Sequence, residues 1–306
     1  MELALITVKQ VIVLFILIFA GFVCVKTKAV KMEGKTAFSD LLLYLIVPAM
    51  VINSYMMEFN AEILQNLLKA FGLSILLLFI GLLVTMVLTA KHKSPDLPIM
   101  RFACIFSNAA YMGFPLIQAL FGSEGLLYAS AFVTVYNILL WTAGYGIVSK
   151  KVRAKEVWRT IFTNPVLISV VAGLLIYLCQ IPVPDIIKQP ISLIGNMNTP
   201  LSMFITGMII AGSDIKGLVY NKNIWYIILV RQLVIPAVCF GVFSLFHVTG
   251  MAAQVVLLLE ACPSAAITSV FAVQFQYDEN LAAGAVVITT FLSILTLPVC
   301  AMLLTV

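Results

Sequence analysis

Residues 107–122 read S-N-A-A-Y-M-G-F-P-L-I-Q-A-L-F-G, inside an apolar segment running from Ile99 to Phe121. That segment is long enough to cross a bilayer, which takes about 20 apolar residues. Its middle nonetheless carries Asn108, Gly113 and Pro115. Pro115 has no N–H and its ring clashes with the preceding turn, so a straight helix is not expected. In hydrocarbon a freed backbone carbonyl costs several kcal/mol unless protein, water or a ligand satisfies it, so such breaks line cavities. A second break is written far down the chain as E-A-C-P-S-A-A-I-T-S-V-F, Glu260–Phe271. Either proline alone would equally serve as a structural kink. Two interrupted helices at matching places in two halves point instead to the binding site of a secondary transporter.

Composition sets the class. Of 306 residues, 62% are hydrophobic and only 10% charged, against about 25% charged in a soluble domain. The chain reads as an all-α polytopic membrane protein embedded in the lipid bilayer. The net charge of +5 does not indicate nucleic acid, because the basic residues sit in short loops between apolar spans. Cys24, Cys104, Cys179, Cys239, Cys262 and Cys300 fall in or at the ends of spans with no CxxC pair. They read as small apolar residues, and no metal site or organic cofactor is expected. No HExxH motif is present and His92 and His247 lie near span ends, so an enzyme is not expected.

Ten spans are expected, near 4–25, 41–56, 64–89, 99–121, 125–148, 160–179, 187–211, 223–246, 251–273 and 281–304, the second starting nearer Thr36. The loops after spans 1, 3, 5 and 7 hold Lys26, Lys28, Lys31, Lys35, Lys91, Lys93, Arg101, Lys150, Lys151, Arg153, Lys155, Arg159, Lys216 and Lys222, and the opposite loops only Lys188. By the positive-inside rule the first set is cytoplasmic, which puts both termini outside the cytoplasm. Trp158 and Trp225 are then interfacial anchors on the cytoplasmic side.

The basic run at 150–159 reads as a linker between two five-span halves, 1–149 and 160–306. An odd number of crossings per half makes the halves inverted repeats. Ala20-Gly21 recurs as Ala172-Gly173 and Pro48 as Pro200, at an offset of 152, and Phe121 as Phe275 at 154. The offsets align broken spans 4 and 9, which enter from opposite faces and cross near the midplane.

At such a crossing the half-helices that begin near Met112–Pro115 and Cys262–Ser264 present N–H groups and a partial positive charge. That favours an anion, with Asn108 and Ser264 as hydrogen-bond donors. The half-helices that end there present carbonyls, which suit a cation. Lys9 and Lys69 lie near outer helix ends and read as snorkelling side chains. Glu260 lies about 14 Å from the outer face, near the middle of a core roughly 30 Å thick. Desolvation and the negative end of a half-helix both disfavour its charge. Arg231, about 12 Å from the cytoplasmic face, comes level with it. Two readings stand: a static Glu260–Arg231 pair, or an ion-coupling site in which Glu260 carries a proton or, with Asn108, binds sodium. Asn137 in span 5 is expected to line the cavity, and the N-M-N-T-P run Asn196–Pro200 in span 7 to bond helix to helix.

At these residues the chain resembles the auxin efflux carrier family, which includes plant PIN carriers and bacterial permeases for malate or malonate. The motif N-A-A-Y-M-G-F-P-L-I-Q-A-L-F-G at Asn108–Gly122 is similar to the plant pattern N-x-L-V-M-G-I-P-L-L-x-A-M-Y-G. Further matches fall at Ala261–Ala272 and Leu201–Gly207. The resemblance implies an elevator-type carrier of a small organic anion, crossing at Pro115 and Pro263, with Asn108 facing the substrate carboxylate. It also implies a scaffold of spans 1, 2, 6 and 7, and homodimers. The long loop of plant carriers is missing, and Glu260 and Ser264 differ from the plant residues near the second proline. The expected function is inner-membrane, proton-coupled secondary transport, with a sodium-coupled symporter of related fold as the alternative.

Overall fold

The computed structural model describes residues 2–149, 158–159, 162–213 and 221–304. Lys216 and all of the expected 150–159 linker except Trp158 and Arg159 lie outside that set. The described residues are helical, with no strand. In order they form α1 (Glu2–Lys26), α2 (Gly34–Tyr55), α3 (Ala61–Leu88), α4 (Leu97–Ile105) and α5 (Ala109–Ser149). Then come α6 (Pro165–Cys179), α7 (Asp185–Asn196), α8 (Asn198–Ala211) and α9 (Lys222–Leu245). The last are α10 (Met251–Glu260), α11 (Ile267–Gln274) and α12 (Glu279–Leu303).

Among the described residues, seven helical stretches are long and apolar enough to cross a membrane, one of them formed by α7 and α8 together. On α3, Leu68, Ile75, Phe79 and Leu83 make an exposed apolar stripe at helical spacing, while Leu67, Ala70, Leu77 and Gly81 face inward. A soluble helix would show polar residues on that outer stripe. The arrangement fits lipid.

Side-chain caps start several helices where the apolar runs begin. Asn60 accepts from the N–H groups of Glu62 and Ile63, Asn164 from Val166 and Leu167, and Asp278 from Leu281. Each satisfies N–H groups that the first turn leaves without a partner. Lys69, expected to snorkel, reaches the carbonyl of Thr249 at 2.7 Å.

The prolines explain a second regularity. Three of the four π-turns among the described residues, Leu42–Ile46, Ala109–Gly113 and Leu229–Val234, each end two residues before a proline, Pro48, Pro115 and Pro236; the fourth, Leu140–Gly144, has none at that spacing. A wider turn makes room for a ring that would strike the carbonyl one turn back. So Pro115 does not break its helix, as the sequence suggested. The chain leaves helical geometry earlier, at Phe106–Asn108, and Pro115 sits in the first α-turn after the π-turn, where a missing N–H is tolerated. The second break holds its proline within it, and helix resumes at Ile267 rather than near Ser264. Gly122, at φ 60° and ψ −148°, turns α5 back on itself between the stretches expected as spans 4 and 5.

Two groups of helices pack internally. The first comprises α1 along α8, with α2 against α6 and α7. The second comprises α3 against α5 and α10, with α11 on α12 and α4 beside α3 and α12. Between the groups run contacts of α1 with α12 and of α1, α2, α6 and α8 with α5, and a hydrogen bond between Tyr55 Oη and Ser130 Oγ, 2.6 Å.

Candidate functional site: the paired helix breaks

The two breaks are joined through their backbones. The Asn108 N–H donates to the Pro263 carbonyl at 2.7 Å, and the Ala265 N–H donates to the Phe106 carbonyl at 2.9 Å. Ser107 and Ser264 thereby face each other as an isolated antiparallel bridge. Four helix ends converge here: the C-termini of α4 and α10 and the N-termini of α5 and α11. Ser264 fastens the crossing further. Its hydroxyl donates to the Ala103 carbonyl at 2.9 Å and its N–H to Thr289 Oγ1 of α12 at 3.0 Å.

The carbonyl ends are capped by one side chain. Arg231, wholly buried in the π-turn of α9, donates from Nε to the Cys262 carbonyl at 3.1 Å. Its Nη1 reaches the Cys104 and Ile105 carbonyls at 3.2 and 3.1 Å and Glu260 Oε1 at 3.1 Å. Its Nη2 bonds the Glu260 carbonyl. One guanidinium thus satisfies carbonyls of both ending half-helices as well as the carboxylate. Gln232, the next residue, donates to the Thr289 carbonyl at 2.8 Å and accepts from Thr296 at 3.0 Å, holding α9 against α12.

The starting ends are left differently. Among the described residues, seven carry buried side-chain polar atoms with no hydrogen-bond partner. Five of them belong to the breaks or the first turn beyond: Ser107, Asn108, Glu260, Thr268 and Ser269. For Asn108, only 3% exposed, the atom is Nδ2; for Glu260 it is Oε2. Buried polar groups without partners cost about 1–3 kcal/mol each, and their clustering here marks the crossing as the candidate site.

A family described as "Membrane transport protein" matches residues 6–301. The chain belongs to this family of membrane transport proteins, the auxin efflux carrier family. It is 24% identical over 305 residues to a protein of Methanocaldococcus jannaschii described as an uncharacterized transporter, covering 96% of this chain and 97% of the relative. A second uncharacterized transporter, from Methanothermobacter thermautotrophicus, is 23% identical over 201 residues, 65% of each chain. The chain is therefore a membrane transport protein of the auxin efflux carrier family, and the crossing is its candidate functional site.

The residues singled out from the sequence of this family member fall into three groups. Asn108, Pro263, Ser264, Glu260 and Arg231 are together at the crossing. Gly113 is beside it in a packing role: a Cβ there would come within 2.5 Å of Leu259 Cδ2, so the missing side chain lets α10 lie against α5. Pro115 is buried two residues further along α5. Asn137 has its amide taken up elsewhere. Its Nδ2 donates to the Val133 carbonyl at 2.8 Å and its Oδ1 accepts from Asn164 at 3.3 Å, a bond from α5 to the start of α6. Asn198 reverses the expectation for the N-M-N-T-P run. Asn196 and Thr199 do bond to Gln118 across helices, but Asn198 is buried with both amide atoms unpartnered. Thr268, Ser269 and Thr289 escaped the sequence reading, although T-S directly follows the second break.

Proposed function

We propose that this chain is an inner-membrane secondary carrier for a small organic anion, a carboxylate such as malate, malonate or an auxin-like acid. One observation carries the reading. At a backbone-paired crossing of two broken helices, the carbonyl ends are neutralised by Arg231 while Asn108 Nδ2 and the hydroxyls of Ser107 and Thr268 are buried without partners. Apart from Glu260 Oε2, what remains open at the helix N-termini is a set of donors, which suits a carboxylate.

Ten crossings in two inverted halves complete the proposal, and close glycine contacts support it. The α1–α8 pair approaches at Gly21 and Gly207, where a Cβ on Gly207 would lie 2.0 Å from the Ile18 carbonyl oxygen. The α2–α6 pair approaches at Tyr55 and Gly173, where a Cβ on Gly173 would lie 2.5 Å from the Tyr55 ring. Gly173 is 152 residues after Gly21, and Gly207 is 152 after Tyr55. One contact is the image of the other under the offset read from the sequence. In this reading α1, α2 and α6–α8 form the scaffold, and the remaining helices carry the crossing past it as an elevator. Glu260 is the proton carrier, with Oε1 on Arg231 and Oε2 free of protein partners. Homodimers, as the family resemblance implies, belong to the same proposal.

A thermal-stability screen of the purified protein tests the substrate class. Mono- and dicarboxylates are expected to raise the melting temperature saturably, with organic cations and neutral sugars inert. Stabilisation by an organic cation and by no carboxylate would refute the reading.

A further inference from the structure

The carbonyl side of the crossing carries more than a structural cap. Five oxygens converge on the Arg231 guanidinium: the carbonyls of Cys104, Ile105, Glu260 and Cys262, and Glu260 Oε1. Backbone carbonyls from unwound helix ends together with one carboxylate are the donor set that hard cations take, and in broken-helix transporters such ends coordinate the coupling ion. Here the set is filled from within. Nη1, with two hydrogens, has three oxygens within 3.2 Å, so at least one hydrogen is shared. Arg231 is wholly buried and its neighbour Gln232 is bonded on both ends of its amide, to Thr289 and Thr296. The guanidinium is therefore fixed in place rather than free to swing out.

We infer that Arg231 is a resident cation standing at the position where these helix ends would otherwise hold a metal ion, so that the crossing works without sodium. The consequence for coupling rests on the carrier reading given above; the cation chemistry does not. Arg231 supplies one permanent positive charge to a group of oxygens drawn from α4, α10 and the second break. A movable cation would come and go with each cycle, whereas a tethered one leaves only Glu260 free to change its charge. In the first half α3, the counterpart of α9, offers no such cation level with the crossing: its lysine, Lys69, bonds the Thr249 carbonyl beyond α9.

The test uses cations alone, so its outcome does not depend on whether any carboxylate binds. Melting temperatures of the purified native chain and of Arg231→Ala are measured while sodium or lithium replaces choline at constant ionic strength. The native chain is expected to be indifferent. Arg231→Ala is expected to be less stable and to be restored saturably by sodium or lithium, by on the order of 5 °C at a hundredfold excess over the dissociation constant. Arg231→Lys keeps a tethered cation and should be as indifferent as the native chain. Saturable stabilisation of the native chain by sodium overturns the inference, and so does a folded Arg231→Ala that ignores both ions. Should Arg231→Ala fail to fold, the native chain and Arg231→Lys decide: indifference of both supports the inference, and a saturable sodium response in either overturns it.

Discussion

Arg231 and Glu260 form a wholly buried ion pair, Nη1 to Oε1 3.1 Å, at the point where two helices stop. The geometry is lopsided. The guanidinium spreads over four carbonyls and one carboxylate oxygen, while the other carboxylate oxygen, Oε2, has no partner. A buried ion pair repays its desolvation only where further hydrogen bonds satisfy its remaining lone pairs. An unbonded oxygen beside a fixed cation leaves a position for a proton.

Glu260→Gln separates the two roles. It keeps the shape of the side chain and fixes it in the protonated form. Gradient-driven uptake into proteoliposomes should fail, exchange at equilibrium should survive, and the exchange rate should lose its dependence on pH. A pair with a purely structural role predicts a different pattern. The single change would then strand a buried cation and cost about 3–5 kcal/mol. Replacing Glu260 and Arg231 together by apolar residues would then restore coupled transport, and that rescue would defeat the coupling role.

Asn108→Ala should weaken carboxylate binding without unfolding the protein. The deleted Nδ2 has no protein partner to strand, so stability should change little. A hydrogen bond to a charged group is worth about 1.5–3 kcal/mol, which is roughly ten- to a hundredfold in affinity. Isothermal titration of the stabilising carboxylate measures it, and an unchanged affinity would assign Asn108 a structural role.

Gly207→Ala should loosen the α1–α8 pair, since the new methyl would meet backbone rather than a movable side chain. Overpacking of this kind costs about 1–3 kcal/mol. Gly241→Ala is the control: a Cβ there meets nothing within 4 Å, and alanine in a helix should be neutral or stabilising by about 0.4–1 kcal/mol. Thermal denaturation of the two variants should rank them in that order.

Topology is read by cysteine labelling in a cysteine-depleted background. Cysteines at Gly122 or Ser123 should react with an impermeant reagent from outside, and those at Lys93 or Asn221 should not. Labelling of both sets from one side would be incompatible with inverted halves.

Much of this was legible in the sequence because membrane proteins write it plainly. Apolar runs give the helices, and the motif at Asn108–Gly122 gives the family. Both breaks were legible as well, but not their positions. A proline marks a helix by its missing N–H, yet a π-turn two residues upstream absorbed Pro115 and moved the break to Phe106–Asn108. The pairing of the breaks through Ser107 and Ser264 could not be read, because it depends on a crossing in space. Asn137 and Asn198 exchanged expectations for a similar reason. An asparagine in a span declares a polar group, and only its neighbours decide whether that group is spent on Asn164, as for Asn137, or left open, as for Asn198. Arg231 was legible as a partner for Glu260, but its reach to the ends of both half-helices was not.

Carriage of an organic anion through the crossing is tested most directly by counterflow. Purified protein is reconstituted into liposomes loaded with an unlabelled carboxylate from a panel of mono- and dicarboxylates, and the same labelled carboxylate is supplied outside at low concentration. The account predicts transient accumulation of label above equilibrium, saturable in external concentration, for at least one member of the panel and reduced by Asn108→Ala. Label that never rises above equilibrium for any carboxylate, or a flux that stays linear in concentration, would contradict it.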